Sequence, residues 1–136
     1  PFVSKSEGGG YNLSIDVLTT YNVSLLLRDE GVYRTVDFSK TSLSGWQHII
    51  ATFDGRYAKI YRNSILQSTY DKGSFYNITY LYPNNYLFFG AEAGTGSTTP
   101  GPYMQGRIGI THMFNVALNQ DEITNLFNQY RSRYGL

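Results

Sequence analysis

Cysteine is absent from the chain. Disulfide staples, thiolate nucleophiles and zinc sites with thiolate ligands are therefore excluded. Charge is also scarce: charged residues make up 15% of the 136, with 11 cationic against 10 acidic, and the cations are scattered. A nucleic-acid partner would call for a basic stripe, and none is present. The short "RSRY" at 131–134 reads as a solvated helix end. No apolar run approaches the roughly 20 residues that a membrane-spanning helix needs.

What the chain has in excess is tyrosine, phenylalanine and glycine: 13, 8 and 14 residues. Aromatic and β-branched residues suit strands, and Gly with Asn suits turns. The length fits one domain with a real core. The pattern agrees with an all-β reading. Tyr11, Leu13, Ile15 and Val17 alternate with polar residues, the period-two signature of a half-buried strand. "PFVSK" (1–5) reads as a strand before it. Residues 22–29 and 32–38 suit a hairpin across Asp29-Glu30-Gly31. "WQHIIATF" (46–53) is apolar on both faces, as an interior strand should be. Asp54-Gly55 then turns the chain into "YAKIYR" (57–62), and Asn63-Ser64 turns it again into "ILQSTY" (65–70). The polar, Tyr-rich segment 71–86 reads as a long loop, and 86–92 as a strand. Residues 93–102, "AGTGSTTPGP", read as a mobile loop by composition, and 104–115 as a glycine-broken strand.

The C-terminal end changes character. Asn119 is placed to cap a helix over "QDEITNLFNQYRSRY". Acids fill its first turn and Arg131 and Arg133 lie near its last, which suits the helix dipole. Ile123, Leu126, Phe127 and Tyr130 share one face, and Gly135 ends it.

The order of these features resembles the laminin G-like, concanavalin A-like jelly-roll modules. The carriers are Trp46, His48, Asp54, Gly55, Tyr61, Asn63, Gly90, Gly106, Ile108, Ala117, Leu118, Glu122 and Ile123. The resemblance covers about residues 43–125 well and 1–42 loosely. It implies an antiparallel β-sandwich, a jelly roll with one short C-terminal amphipathic helix, as a single domain over 1–136. Two departures stand out. Ser64 occupies the place of the hairpin glycine, which suggests a different turn type there. Modules of this kind also usually open with further strands, so this one is expected to lack its first strands and to be part of a longer chain. A sandwich without them exposes unpaired edges. The ending "NQYRSRYGL" resembles jelly-roll modules of phage structural proteins and bacterial surface proteins.

The resemblance implies a non-catalytic module. Retaining glucanases of the class resemble one another in a Glu-x-Asp-x-x-Glu strand, which supplies the paired carboxylates their chemistry needs; no Glu-x-Asp occurs here. His48 and His112 read better as packed histidines than as catalytic ones. Trp46, His48, Asp54, Gly55, Gly90 and Gly106 read as scaffold. No cofactor is expected, but laminin G-like domains often carry one Ca²⁺, for which Asp29 and Glu92 are the candidates, with Asp71 beside them; plain solvated acids are the alternative. A ligand site is expected in the loops: Tyr76, Tyr80, Tyr82, Asn84, Asn85 and Tyr103, with Tyr33 and Tyr57 as further ring candidates. Half-buried tyrosines would look the same in sequence. Asn12, Asn22 and Asn77 begin N-x-[ST] sequons.

Two functions fit. One is a recognition or adhesion module that binds a glycan or surface ligand through rim loops. The other is a structural virion or surface module, a capsid or tail decoration that packs against neighbouring subunits. Both place the protein outside the cell, at a cell surface or on a virion, with no nucleic-acid partner and no membrane insertion.

Overall fold

The computed structural model describes residues 1–5, 10–15, 22–29, 32–39, 44–80, 82, 84, 86–93 and 97–136. Ten strands and one helix follow in order: β1 (Val3–Lys5), β2 (Tyr11–Ile15), β3 (Asn22–Asp29), β4 (Val32–Ser39), β5 (Ile49–Phe53), β6 (Tyr57–Arg62), β7 (Ile65–Asp71), β8 (Phe88–Phe89), β9 (Ala91–Ala93), β10 (Pro100–Tyr103) and α1 (Gln120–Tyr134). They form a five-stranded sheet of order β4-β3-β2-β1-β8, a three-stranded sheet β5-β6-β7, and a β9-β10 pair. All pairings are antiparallel. The fold is the expected all-β sandwich closed by one helix.

Register shows which side chains share the inner face. Val36, Leu25, Leu13, Val3 and Phe89 line up across the large sheet. Cross-strand partners point to the same side, so these form one inward row. Val23, Leu25 and Leu27 of β3 and Val36 of β4 make one half of the core; Ala58 and Ile60 of β6 make the other. Leu27, Val23 and Ile60 are fully enclosed. Phe53, Ala51 and Ile49 of β5 are the register partners of Ala58, Ile60 and Arg62, and pack on the same cluster.

The turns explain themselves locally. Asp54 Oδ1 accepts the amides of Arg56 and Tyr57 at 2.9 and 2.7 Å, an Asx-type turn. Gly55 takes φ +98 in it, with Phe75 lying over the space a side chain would need. In the β6–β7 hairpin, Asn63 and Ser64 both adopt positive φ, 49° and 66°. The different turn type expected from Ser64 is therefore not what forms. Two left-handed residues match the strand twist, and Ser64 accepts the strain of that conformation. The turn is pinned from both sides: His48 N donates to Asn63 Oδ1 at 3.0 Å, Asn63 N to the His48 carbonyl at 2.8 Å, and Gln120 Nε2 to the Ser64 carbonyl at 2.8 Å.

The helix follows the sequence closely. Asn119 accepts the amides of Asp121 and Glu122, Glu122 accepts the Asn119 amide at 2.8 Å, and Gly135 ends the helix at φ 68°. This capping box satisfies amides that the helix leaves open at its start. Ile123 is fully buried. Trp46 and His48, upstream of β5, meet α1 through Tyr134 (4.9 Å between rings) and Phe127 (5.7 Å).

Three expectations need correction. Residues 86–92 do not make one strand: Gly90, at φ 72°, breaks them into β8 and β9. The loop expected over 93–102 is partly ordered: Pro100–Tyr103 pairs with β9, while 94–96 lie outside the described residues. The strand expected over 104–115 does not form; none of these residues joins a strand. A strand exists only where a neighbour takes its hydrogen bonds, and no described strand lies alongside.

Candidate functional site

Two surfaces compete for attention: an aromatic rim beyond the β8 edge, and an apolar cleft between the sheets. The rim comes from the expected loop. Phe88 is the partner of Ser4 and Phe89 of Val3, so Phe88 belongs to the outer face and Phe89 to the inner one. Tyr86 lies edge-on to Phe88 at 6.3 Å. Tyr103 stands in register with Ala91 on β10 and is 70% exposed. Tyr82 and Tyr86 are also exposed, as is Asn84. Asn85 lies outside the described residues.

Tyr80 is anchored more firmly. Its ring covers Gly10, where a Cβ would lie 2.8 Å from it, and Lys5 Nζ sits 5.9 Å from its centroid. The backbone here is stitched by Gly10 N to the Thr79 carbonyl (2.7 Å), Thr79 N to the Arg28 carbonyl (3.0 Å) and Arg28 N to the Gly10 carbonyl (2.9 Å). Burial raises the Tyr80 hydroxyl above its usual pKa. Burial, then the nearby Tyr80, does the same to Tyr11.

Tyr76 does not join the rim. It is only 8% exposed, its ring lies 4.7 Å from Phe53, and its amide binds the Gly55 carbonyl at 2.7 Å. An apolar ring at the end of a sheet gains most by burial, so Tyr76 staples the 71–80 segment to the sandwich. Tyr33 lies under Arg28 (5.5 Å), and Tyr57 between Arg56 (4.8 Å) and Lys59 (5.7 Å); Tyr33, on β4, is at the far edge of the large sheet from β8, and Tyr57, on β6, belongs to the other sheet. Tyr86 is missed in the sequence because "YLFFGAE" reads as a strand with both faces filled. The glycine that breaks that strand was the available signal.

The acids have structural work. Glu92 Oε1 accepts from Asn12 Nδ2 at 2.9 Å, which buries Asn12 and leaves its sequon inaccessible. Asp37 accepts from Asn22 Nδ2 at 2.9 Å. Asp71 holds Arg56 through two bonds of 2.7 and 2.9 Å. That guanidinium, with the Gly73 amide, holds the Asp71 carboxyl down at about 2. Asp29 ends β3, three residues beyond Leu26, the register partner of Asn12; nothing is described of its side chain. Among the described residues, no three acids or histidines gather as cation ligands would.

The second surface is a cleft of about 940 Å³. The inner faces of β1 and β2 (Val3, Leu13, Ile15) floor it, and β5, residues 104–118 and the apolar stripe of α1 wall it. His48 faces this region. Burial, then the nearby His112, lowers its pKa below the ordinary value. His112 stacks on Tyr130 at 5.5 Å and on Phe114 at 6.0 Å. Gly109 passes directly under the Tyr134 hydroxyl, 2.6 Å from where a Cβ would stand. No helix among the described residues is long and apolar enough to cross a membrane.

Antiparallel sheets packed face to face and closed by one capped helix define a β-sandwich of the jelly-roll class. Residues 1–124 match a laminin G family model described as the concanavalin A-like lectin/glucanases superfamily, and the chain belongs to that superfamily. Among solved structures, it is similar to residues 221–444 of an S-layer domain-containing protein from Clostridium thermocellum. The identity is 19% and the TM-score 0.52, over 91% of this chain and 65% of that one. The likeness shows a shared fold, and this chain spans about two thirds of that longer domain. No curated protein matches the sequence.

Proposed function

We propose that the protein is a non-catalytic recognition module of a cell-surface or virion protein, which binds a glycan through its aromatic rim. The observation that carries this reading is the exposure of three tyrosines, Tyr82, Tyr86 and Tyr103, of which Tyr86 meets Phe88 of β8 and Tyr103 pairs with Ala91 of β9. Sugars stack their apolar C–H faces on such rings while neighbouring amides, here Asn84, take hydroxyls. A tyrosine held by a short strand loses little entropy when a ligand settles on it. Five carboxylates, those of Asp37, Asp54, Asp71, Glu92 and Glu122, are engaged within the fold, which favours binding over glycoside hydrolysis.

A glycan array tests the proposal, run with calcium and with EDTA. Reproducible binding that Tyr103→Ala or Tyr82→Ala abolishes, with the melt unchanged, supports it. Retained binding in both variants refutes the rim as the site. Loss in EDTA would bring back a bound cation and make Asp29 the first residue to examine. A second reading, a structural module packed against neighbouring subunits, draws on the exposed apolar residues Met113, Phe114 and Val116. A folded protein that binds no glycan would favour it.

A further inference from the structure

Residues 72–80 run as a strap from the β5–β6 turn to the end of β3. The strap is held at Gly55, whose carbonyl accepts the Tyr76 amide at 2.7 Å, and at Arg28, whose carbonyl accepts the Thr79 amide at 3.0 Å. Burial alternates around the first anchor. Tyr76 turns inward and is 8% exposed, whereas Phe75 is 79% exposed and Asn77 is exposed as well. That is the period of an extended chain, in which residues two apart point to the same side. The Phe75 ring and the Asn77 amide therefore share the outer surface. Part of the ring lies over Gly55, 2.9 Å from where a Cβ would stand, and the rest meets water. A bare apolar ring is area that a neighbour would gain by covering.

Asn77 opens Asn77-Ile78-Thr79, one of the three N-x-[ST] sequons. The fold separates the three. Asn12 is 6% exposed and donates to Glu92 at 2.9 Å, so a sugar on its nitrogen has no room. Asn22 lies on a paired strand and donates to Asp37 at 2.9 Å. The Asn77 side chain stands outside the strands, exposed. A bulky, solvated modification fits only there.

We propose that Asn77 carries an N-linked glycan whose first sugar packs its C–H face on Phe75. This is a glycan that the chain bears, independent of the one it is proposed to bind. The co-reactant is a lipid-linked oligosaccharide. The Asn77 amide nitrogen forms a bond to C1 of the first sugar and gives up one proton. The bond from C1 to the lipid phosphate oxygen breaks, and the phosphate leaves with its electron pair. Thr79 sets the time of transfer. Its hydroxyl is enclosed and has no partner among the described residues, yet a transferase must reach it to read the sequon. Transfer therefore precedes docking of the strap, which then encloses Thr79 and leaves the sugar outside.

Peptide mapping by mass spectrometry, on the full-length protein purified from its native source, tests the assignment. The expected result is a glycan on the peptide that contains Asn77 and none on those that contain Asn12 and Asn22. An unmodified Asn77 overturns the proposal. Thr79→Ala should abolish the modification and Thr79→Ser should keep it; a glycan that survives Thr79→Ala would show another linkage and overturn it equally. Melts of Asn77→Gln, alone and combined with Phe75→Ala, test the seat of the sugar. Loss of the glycan should lower the melting temperature by about 3 °C when Phe75 is present, and by less when it is not. Equal lowering in both backgrounds would refute the contact with Phe75.

Discussion

The two halves of the sandwich are built from similar residues and end up in different states. In the closed half, Leu25, Leu27, Val36 and Ile60 interlock between β3–β4 and β6, and all four are buried. In the open half, Ile108, Ile110 and Val116 are no less apolar, yet they remain exposed. Hydrophobicity alone does not create a core: an apolar side chain is buried only when a second layer is present to receive it. The closed half has that layer, and the open half has a helix and a cleft.

The most direct way to test the contrast is to delete the same kind of atom in each half. Ile60→Ala should cost about 3 kcal/mol, because the lost methylenes leave a cavity in a packed interior. Val116→Ala should stay within about 0.5 kcal/mol in residues 1–136, since its side chain is already wet. Urea denaturation of the two variants reads the difference. Equal losses would mean that Val116 is buried in solution and that the two halves are alike.

The helix ties the halves together, and its cap is the next lever. Asn119→Ala removes the acceptor for the Asp121 and Glu122 amides and should cost about 1 kcal/mol. The loss should appear as faster exchange in the first turn of α1 and, through His48 and Trp46, at the start of β5. A change confined to the helix would show that α1 does not brace the open half.

The sequence disclosed the closed half far better than the open one. Strand identity, the β3–β4 and β5–β7 hairpins and both helix caps could be read because each rests on a local signal: a period of two, an Asp-Gly or Asn-Ser pair, an Asn three residues before Glu. The strand expected over 104–115 failed because pairing depends on a neighbour distant in sequence, which periodicity cannot supply. Tyr76 failed as a rim residue for a related reason. A tyrosine reads the same whether its ring points inward or outward, and Phe53, 23 residues earlier, decides the matter. The candidate rim was half legible: Tyr82 and Tyr103 are exposed as expected, whereas Tyr86, exposed as well, was hidden in a segment that reads as a strand over 86–92.

Within the closed half, the β6–β7 turn carries strain that can be released. Ser64 sits at φ 66°, which glycine adopts without penalty. Ser64→Gly should stabilise the protein by about 0.5–1 kcal/mol after allowing for the extra freedom of the unfolded glycine. No gain would mean that the Gln120 bond to the Ser64 carbonyl already offsets the strain.

His48, at the boundary of the halves, should report acidification. Its pKa is lowered by burial and then by His112, so the folded state binds its proton more weakly than the unfolded chain does. Stability should therefore fall as pH drops below the ordinary histidine range, near 6.5. The melting temperature should decline between pH 7.5 and 5, and less so in His48→Gln. An equal decline in both would move the pH dependence to other groups.

The smallest effect belongs to the Arg56–Asp71 pair, whose side chains are 36% and 41% exposed at the edge of the closed half. Two hydrogen bonds from the guanidinium, then the Gly73 amide, bring the Asp71 carboxyl from the usual 3.8 to about 2. A depressed carboxylate contributes stability above its unfolded pKa and loses it as pH falls through the folded one. The window is thus about pH 4 to 2, well below that of His48. An NMR titration of the Asp71 carboxyl should find its midpoint near 2, and Arg56→Gln should return it toward 3.8 with little change in overall stability, since exposed pairs contribute little. A midpoint already near 3.8 in the parent would show the pair to be broken in solution. The acid sensitivity of the protein would then be set by the buried face around His48 and by its other carboxylates.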